Sequence, residues 1–178
     1  MFEPVANPTR TIVAPEALSR YYLDGPRGGS HVTSGVWATW MTREDRESEI
    51  ADQVSYLDTL HDTITAGVSP SAAQLTVLGF SQGVATVCRW LARGRTRAHR
   101  LVCWGGAIPE DIELGPHSPL RHPALSLVVG SRDIYATPDR VAHQESVLQA
   151  AGVPFTRLRF EGGHRLDDAT ILQLAGTR

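Results

Sequence analysis

Leu75-Thr76-Val77-Leu78-Gly79-Phe80-Ser81-Gln82-Gly83-Val84-Ala85-Thr86-Val87 is the stretch that decides how this chain folds. Its first half is apolar and β-rich, the composition of a buried strand. It breaks at Gly79-Phe80-Ser81-Gln82-Gly83 and runs at once into a helix-compatible segment, Val84 to Ala92. Strand, sharp turn centred on serine, then helix are the parts of a nucleophile elbow, in which a strained backbone lifts the hydroxyl clear of the sheet. Gly79 and Gly83 are expected to remove side chains where strand and helix approach closely. The new helix points its free N–H groups and positive end at the serine, so the backbone N–H of Gln82 is the expected oxyanion donor. The competing reading is a glycine-rich turn whose serine only caps the helix.

Upstream of this stretch, Thr11-Ile12-Val13-Ala14 reads as a short buried strand stopped by Pro15. Pro15 to Met41 reads as one long loop holding Gly25, Pro26, Gly28, Gly29, Tyr21, Tyr22, Trp37 and Trp40. Its aromatics suit either a functional loop or rings packed over the sheet edge. Thr42 and Asp45 approximate a capping box. Ile50, Val54, Leu57, Leu60 and Ile64 then recur at helical spacing, which predicts a helix from Arg43 to about Thr63. Its charged face, Arg43 to Asp52, is expected to be solvated.

Downstream, Val84, Val87, Cys88 and Leu91 form the inward stripe of the nucleophile helix. Arg89, Arg93, Arg95, Arg97 and Arg100 gather at its C-terminal end, where positive charge complements the helix dipole; an anion site is the alternative. Leu101-Val102-Cys103-Trp104 and Leu125-Ser126-Leu127-Val128-Val129 read as strands, the second closed by Gly130-Ser131-Arg132-Asp133. Thr137 and Pro138 open a helix that Gly152 stops. Phe155 to Phe160 alternates as a strand, ends in Glu161-Gly162-Gly163-His164, and is followed by a short helix capped by Asp167 or Asp168. Alternation of strand and helix predicts an α/β fold with a mostly parallel sheet, in which ligands bind beyond the carboxyl ends of the strands.

Ser81, Asp133 and His164 each fall just past the end of a different predicted strand. A serine hydroxyl needs a base within hydrogen-bond reach, and that base needs an acid to orient it. Of seven histidines, His164 alone follows a predicted core strand directly, and Asp133 is the carboxylate closing a central apolar strand. The chemistry expected of the three is acyl transfer to water: Ser81 attacks, His164 carries the proton, Asp133 orients His164. Taken singly, Asp133 also suits a turn and His164 a surface position.

Composition narrows the alternatives. The 178 residues, 42% of them hydrophobic, suit one domain over residues 1–178. A net charge of −2, with no cluster of aromatic and basic residues, argues against a nucleic-acid binder. All 17 basic residues are arginine, which excludes Schiff-base chemistry and a phosphate-loop lysine. Cys88 and Cys103 lie in apolar surroundings and are expected to be buried thiols, as in a reducing compartment. No apolar run reaches membrane-spanning length and no signal segment is evident, so the expected location is the cytoplasm. His117 and His122 lack neighbouring ligands at metal-binding spacing, and no metal or organic cofactor is expected.

These segments resemble the phospholipase/carboxylesterase family of α/β-hydrolases, which includes acyl-protein thioesterases and small bacterial carboxylesterases. Gly79-Phe80-Ser81-Gln82-Gly83 looks like that family's elbow, and Gly-Ser-Arg-Asp133 and Gly-Gly-His164 match its acid and base turns. The resemblance covers about residues 8 to 175 and places Trp40 and Met41 beside the acyl site. It implies a serine hydrolase acting on a small-molecule carboxylic ester, with lysophospholipase or acyl-protein thioesterase activity as the alternative. Two departures stand out. Val84 replaces a frequent glycine, and no strand with a His-Gly loop, the family's second oxyanion donor, precedes Thr11. The expected fold is therefore α/β-hydrolase-like but N-terminally truncated, with a strand missing between the Thr11 strand and the elbow strand. Across such a gap the sheet closes differently, or another chain, including a second copy in a homo-oligomer, fills it, or the chain is unstable alone and poorly active, a catalytically impaired, hydrolase-like binding protein.

Overall fold

A computed structural model describes residues 5–22, 35–69 and 73–176. Four parallel strands form its centre in the order β3-β4-β5-β6: β3 Thr76–Phe80, β4 Arg100–Trp104, β5 Ala124–Gly130 and β6 Phe155–Phe160. Helices α2 (Gln82–Arg93), α3 (Pro138–Ala150) and α4 (Asp168–Gly176) follow β3, β5 and β6. The register aligns Phe80 with Trp104 and Trp104 with Val128, so the carboxyl ends of the strands form a common rim. Ser81, Gly105, Asp133 and His164 lie on that rim or just beyond it.

Both faces of the sheet are covered, which is why β4 and β5 read as nearly unbroken apolar runs. One layer packs Val77, Leu101, Cys103, Leu125 and Leu127 against Val84, Cys88 and Leu91 of α2 and Leu148 of α3. The other packs Val102, Trp104, Val128 and Phe160 against Ile171 and Leu174 of α4 and against Val5. Val84, Cys88 and Leu91 of the predicted α2 stripe are buried and Val87 is half-buried, while Thr86, Arg89 and Trp90 are buried as well. Cys88 and Cys103 are free and buried, their Sγ atoms 3.9 Å apart.

Upstream the expectations need correcting. Thr11–Ala14 forms no strand, and all four residues are exposed. Four apolar, β-prone residues do not make a strand without a ladder partner, and none lies beside them among the described residues. The expected loop instead contains an antiparallel pair, β1 Ser19–Tyr22 and β2 Val36–Thr39, with Tyr21 opposite Trp37. The glycines between 23 and 34 lie outside the described residues. Helix α1 runs Arg46–Ile64. Asp45 sits at its start with φ 47° and no side-chain cap, so the predicted Thr42–Asp45 box does not form. Glu49 reaches back instead, accepting from the N–H and hydroxyl of Thr42.

The inner face of α1 is also rotated from the prediction. Ile50 and Leu57 are buried, but Gln53 and Asp58 join them and Ile64 is exposed. Asp58 explains the rotation: it accepts from Trp90 Nε1, the amides of Arg95 and Thr96, and the Thr96 hydroxyl. Burial pushes this carboxyl up, but the Arg95 amide and the other three donors outweigh it and hold it below its ordinary value. The arginines behind α2 mostly pair with carboxylates rather than with the helix end. Arg89 is buried and binds Asp111 through Nε and Nη2 at 3.0 and 2.7 Å, and Arg93 adds a 2.6 Å bond. Arg46 and Glu47, expected to be merely solvated, join that network. Arg93 lies in the last turn of α2 as expected, and Arg97 donates to the carbonyls of Gly94, Arg95 and Thr96 just beyond it.

Candidate active site

Ser81 occupies the turn between β3 and α2 with φ 54° and ψ −119°. A non-glycine residue there is strained, and surrounding structure must hold it. Its N–H donates to Trp104 O at 2.9 Å and its carbonyl accepts from Val84 N–H at 3.1 Å. Gly79 permits the close crossing of β3 and α2: a Cβ there would lie 2.5 Å from Gly83 O and 2.6 Å from Val84 Cα. Gly83 does not share that role, since a Cβ on it would meet nothing within 4 Å. Gln82 N–H is the first amide of α2 and has no acceptor within the helix.

The acid and base arrive on neighbouring turns. Ser131 N–H donates to Phe160 O and Arg132 N–H to Gly162 O, which ties the turn after β5 to the turn after β6. His164 Nδ1 then lies 2.8 Å from Asp133 Oδ2, and His164 Nε2 lies 2.9 Å from Ser81 Oγ. The three residues singled out from the sequence meet at one point.

Asp133 is buried and its other oxygen, Oδ1, accepts from the amides of Tyr135 and Ala136. Burial alone would raise its pKa. Those amides and the His164 contact outweigh burial and hold the carboxyl below its ordinary value, so it is ionised near neutral pH.

Phe80, Tyr135 and Gly105 also shape this centre, and for Tyr135 and Gly105 no sequence signal points to that role. The imidazole of His164 lies between Phe80 and Tyr135, each ring centroid 4.7 Å away, with Tyr135 presenting an edge. Gly105, the first residue after β4, has φ +60°. A Cβ on it would stand 3.2 Å from Asp133 Oδ2 and from His164 Nδ1 and Cε1. That backbone conformation favours glycine, and the space is already filled by the Asp–His pair.

The side chain of Gln82 grips the segment between β2 and α1. Its Oε1 accepts from Thr39 Oγ1 and Trp40 N–H, and its Nε2 donates to Met41 O at 2.8 Å. Trp40 and Met41 are thereby fixed next to the elbow helix. The Trp40 ring lies near Tyr56, and Met41 Sδ is 3.6 Å from Arg89 Nη1. A separate cavity of about 180 Å³ opens beside Ser81, between the ends of β4 and β5 and helix α3. Among the described residues no cluster of histidines, cysteines and carboxylates could hold a metal, and no helix is long and apolar enough to cross a membrane.

No family model matches the sequence, and no curated protein matches it. Solved structures do match. SOBER1 of Arabidopsis thaliana is 16% identical, with a TM-score of 0.60 over 80% of this chain and 73% of that one. Acyl-protein thioesterase 2 of Zea mays is 17% identical, with a TM-score of 0.59 over 80% and 71%. A carboxylesterase from Mesorhizobium loti is 19% identical, with a TM-score of 0.59 over 79% and 70%. At such identities the likeness is one of fold: the chain shares the α/β-hydrolase fold of these structures, in line with the resemblance carried by its elbow, acid turn and base turn.

Proposed function

We propose that this chain is a serine hydrolase that cleaves carboxylic esters through an acyl-enzyme on Ser81. The observation that carries the reading is the unbroken relay from Ser81 Oγ through His164 to a buried, ionised Asp133, at 2.9 and 2.8 Å. With Nδ1 donating to Asp133, His164 keeps Nε2 free to accept the serine proton. Ser81 Oγ bonds to the ester carbonyl carbon as that proton moves to His164. The resulting oxyanion faces the positive end of α2 and the Gln82 N–H, a contact worth ~3 kcal/mol of barrier in such sites. Collapse expels the alkoxide, which leaves with the proton from His164, and water repeats the sequence to release the acid. Neither a metal nor an organic cofactor enters these steps.

In this reading Trp40 and Met41, held to the elbow helix by Gln82, flank the substrate on their side of Ser81. Residues 1–178 act as one domain on a small-molecule ester, without a nucleic-acid partner. A lysophospholipase or acyl-protein thioesterase activity is the second reading, favoured by the fold shared with a plant acyl-protein thioesterase. The outward edge of β3, which pairs with no strand among the described residues, supports association with another chain, and solution mass tests that.

A fluorophosphonate probe tests the function directly. Labelling is expected in the native protein and lost in Ser81→Ala, together with at least a thousandfold fall in p-nitrophenyl ester turnover. A folded native protein that takes no label overturns the enzyme reading and favours a hydrolase-like binding protein. Matched oxygen esters and thioesters then separate the first reading from the second.

A further inference from the structure

The cavity beside Ser81 has a chemistry that the relay itself does not use. Its floor and walls are largely apolar, supplied by Leu127, Val129 and Val141, but besides Ser81 and Tyr135 three polar side chains reach it: Arg140, Gln144 and Arg157. No Asp or Glu lines it. Arg157 is matched, since Glu145 accepts from its Nη1 at 3.0 and 3.2 Å. Gln144 Oε1 accepts from Ile108 N–H, which pins the loop after β4 to α3. Arg140 donates through Nη1 to the carbonyl of Tyr135, and among the described residues no carboxylate pairs with it. That single bond holds a guanidinium beside Tyr135, whose ring rests on His164 and also lines the cavity.

Resting on the hydrolase reading above, we propose that this cavity selects esters bearing a carboxylate a short distance from the scissile carbonyl. Apolar walls suit the methylene chain, and Arg140 supplies a charge-assisted contact for the carboxylate at its end. The volume favours a short chain. About 180 Å³ accommodates on the order of six water-sized groups, the size of a succinyl or glutaryl chain rather than a fatty acyl chain. The carboxylate belongs either to the acid or to the alcohol part of the ester, and the substrates tested distinguish the two.

The test compares matched pairs: p-nitrophenyl hemiglutarate with p-nitrophenyl pentanoate for the acid side, and 4-acetoxybutanoate with butyl acetate for the alcohol side. In one pair the anionic ester is expected to have at least a tenfold higher kcat/KM than its neutral match. That ratio should fall about tenfold in Arg140→Gln and recover in part in Arg140→Lys. It should also shrink as salt rises from 0.02 to 0.5 M, because the guanidinium is solvent-exposed. Fluorophosphonate labelling is run in parallel. Protein that labels at Ser81 and cleaves the neutral esters, but shows no anionic preference in either pair, overturns this proposal and leaves the hydrolase reading standing. A ratio that is unchanged in Arg140→Gln also overturns it. Failure to label, with no turnover of any ester, removes both.

Discussion

The residues from β3 onward and the residues before α1 meet at Ser81, but they are held there by different means. From β3 on, each site residue is placed by a strand end, and the strands are fixed to one another by parallel ladders and two buried layers. Before α1, the described chain has only a pair of four-residue strands and a bridge between Asn7 and Arg10. Its attachment to the rim is made by side chains: Gln82 grips Thr39 to Met41, and Glu49 holds Ser19 and Thr42. Val5 and Ala17 are buried, but much of its apolar surface remains in water, with Val36 and Trp37 more than half exposed. A sheet places atoms to a few tenths of an ångström because many bonds agree. A segment held mostly by side-chain bonds, with few buried apolar contacts, opens at lower free energy. The Ser81–His164–Asp133 relay therefore sits on the stiff half, while the flank of Ser81 toward Thr39–Met41 is the adjustable one.

The sharpest way to break that contrast is to remove the acid without disturbing the sheet. In Asp133→Asn the amide no longer accepts from Nδ1–H, and His164 is driven to the tautomer with its proton on Nε2. We expect kcat to fall about 10⁴-fold while the thermal midpoint moves by only a few degrees. Activity within tenfold of the native protein would show that the relay is not what turns over ester.

Gly105→Ala asks how finely the stiff half is set. The added methyl has to enter space 3.2 Å from both partners of the Asp–His pair, on a backbone with φ +60°. A shift of a few tenths of an ångström at His164 is expected to lower kcat 10- to 100-fold with KM nearly unchanged. Strain of about 1 kcal/mol at the left-handed position adds a modest loss of stability. Loss of stability with unaltered kcat would mean that the pair simply moves aside.

How much of this was legible follows the same division. Strands buried on both faces announce themselves as apolar runs, so Leu101–Trp104 and Leu125–Val129 were visible. So were the polar residues that end such runs, Asp133 and His164. The elbow was visible because serine between glycines interrupts a strand. Gly105 and Tyr135 carry no local signal, since their importance comes from atoms contributed by other turns. Asp58 was hidden because a buried carboxylate is recognisable only once its donors at the end of α2 are known. Thr11–Ala14 misled because β-propensity describes a side chain fitting a pleated surface, and no such surface is offered there. The hairpin went unseen because its strands are short, solvent-facing and far apart in the chain.

The ion-pair network behind the elbow gives a smaller effect. Contact with the Arg89 guanidinium draws the Asp111 carboxyl down to about 2. Its contribution to stability is thus present above its ordinary pKa and is lost as pH falls from about 4 to 2. The shift corresponds to roughly 2 kcal/mol, reduced by the partial exposure of Asp111. Asp111→Asn should therefore flatten the acid limb of the stability curve, measured by urea midpoints from pH 6 to pH 2.5. An unchanged limb would show that the network contributes nothing net.

The smallest expected effect tests the adjustable flank itself. Gln82→Ala leaves the backbone N–H at the start of α2 in place and removes the grip on Thr39, Trp40 and Met41. The relay geometry does not depend on that side chain, so kcat on a short neutral ester should fall less than threefold. KM should rise severalfold if Trp40 and Met41 contact the substrate. Hydrogen exchange separates the two halves: amides of residues 36–42 should lose protection, while those of β4 and β5 stay as slow as before. Slowed turnover with intact protection at 36–42 would assign the Gln82 side chain a direct part in the chemistry. Faster exchange across β4 and β5 would show that the two halves are one cooperative unit, and that the contrast drawn between them is false.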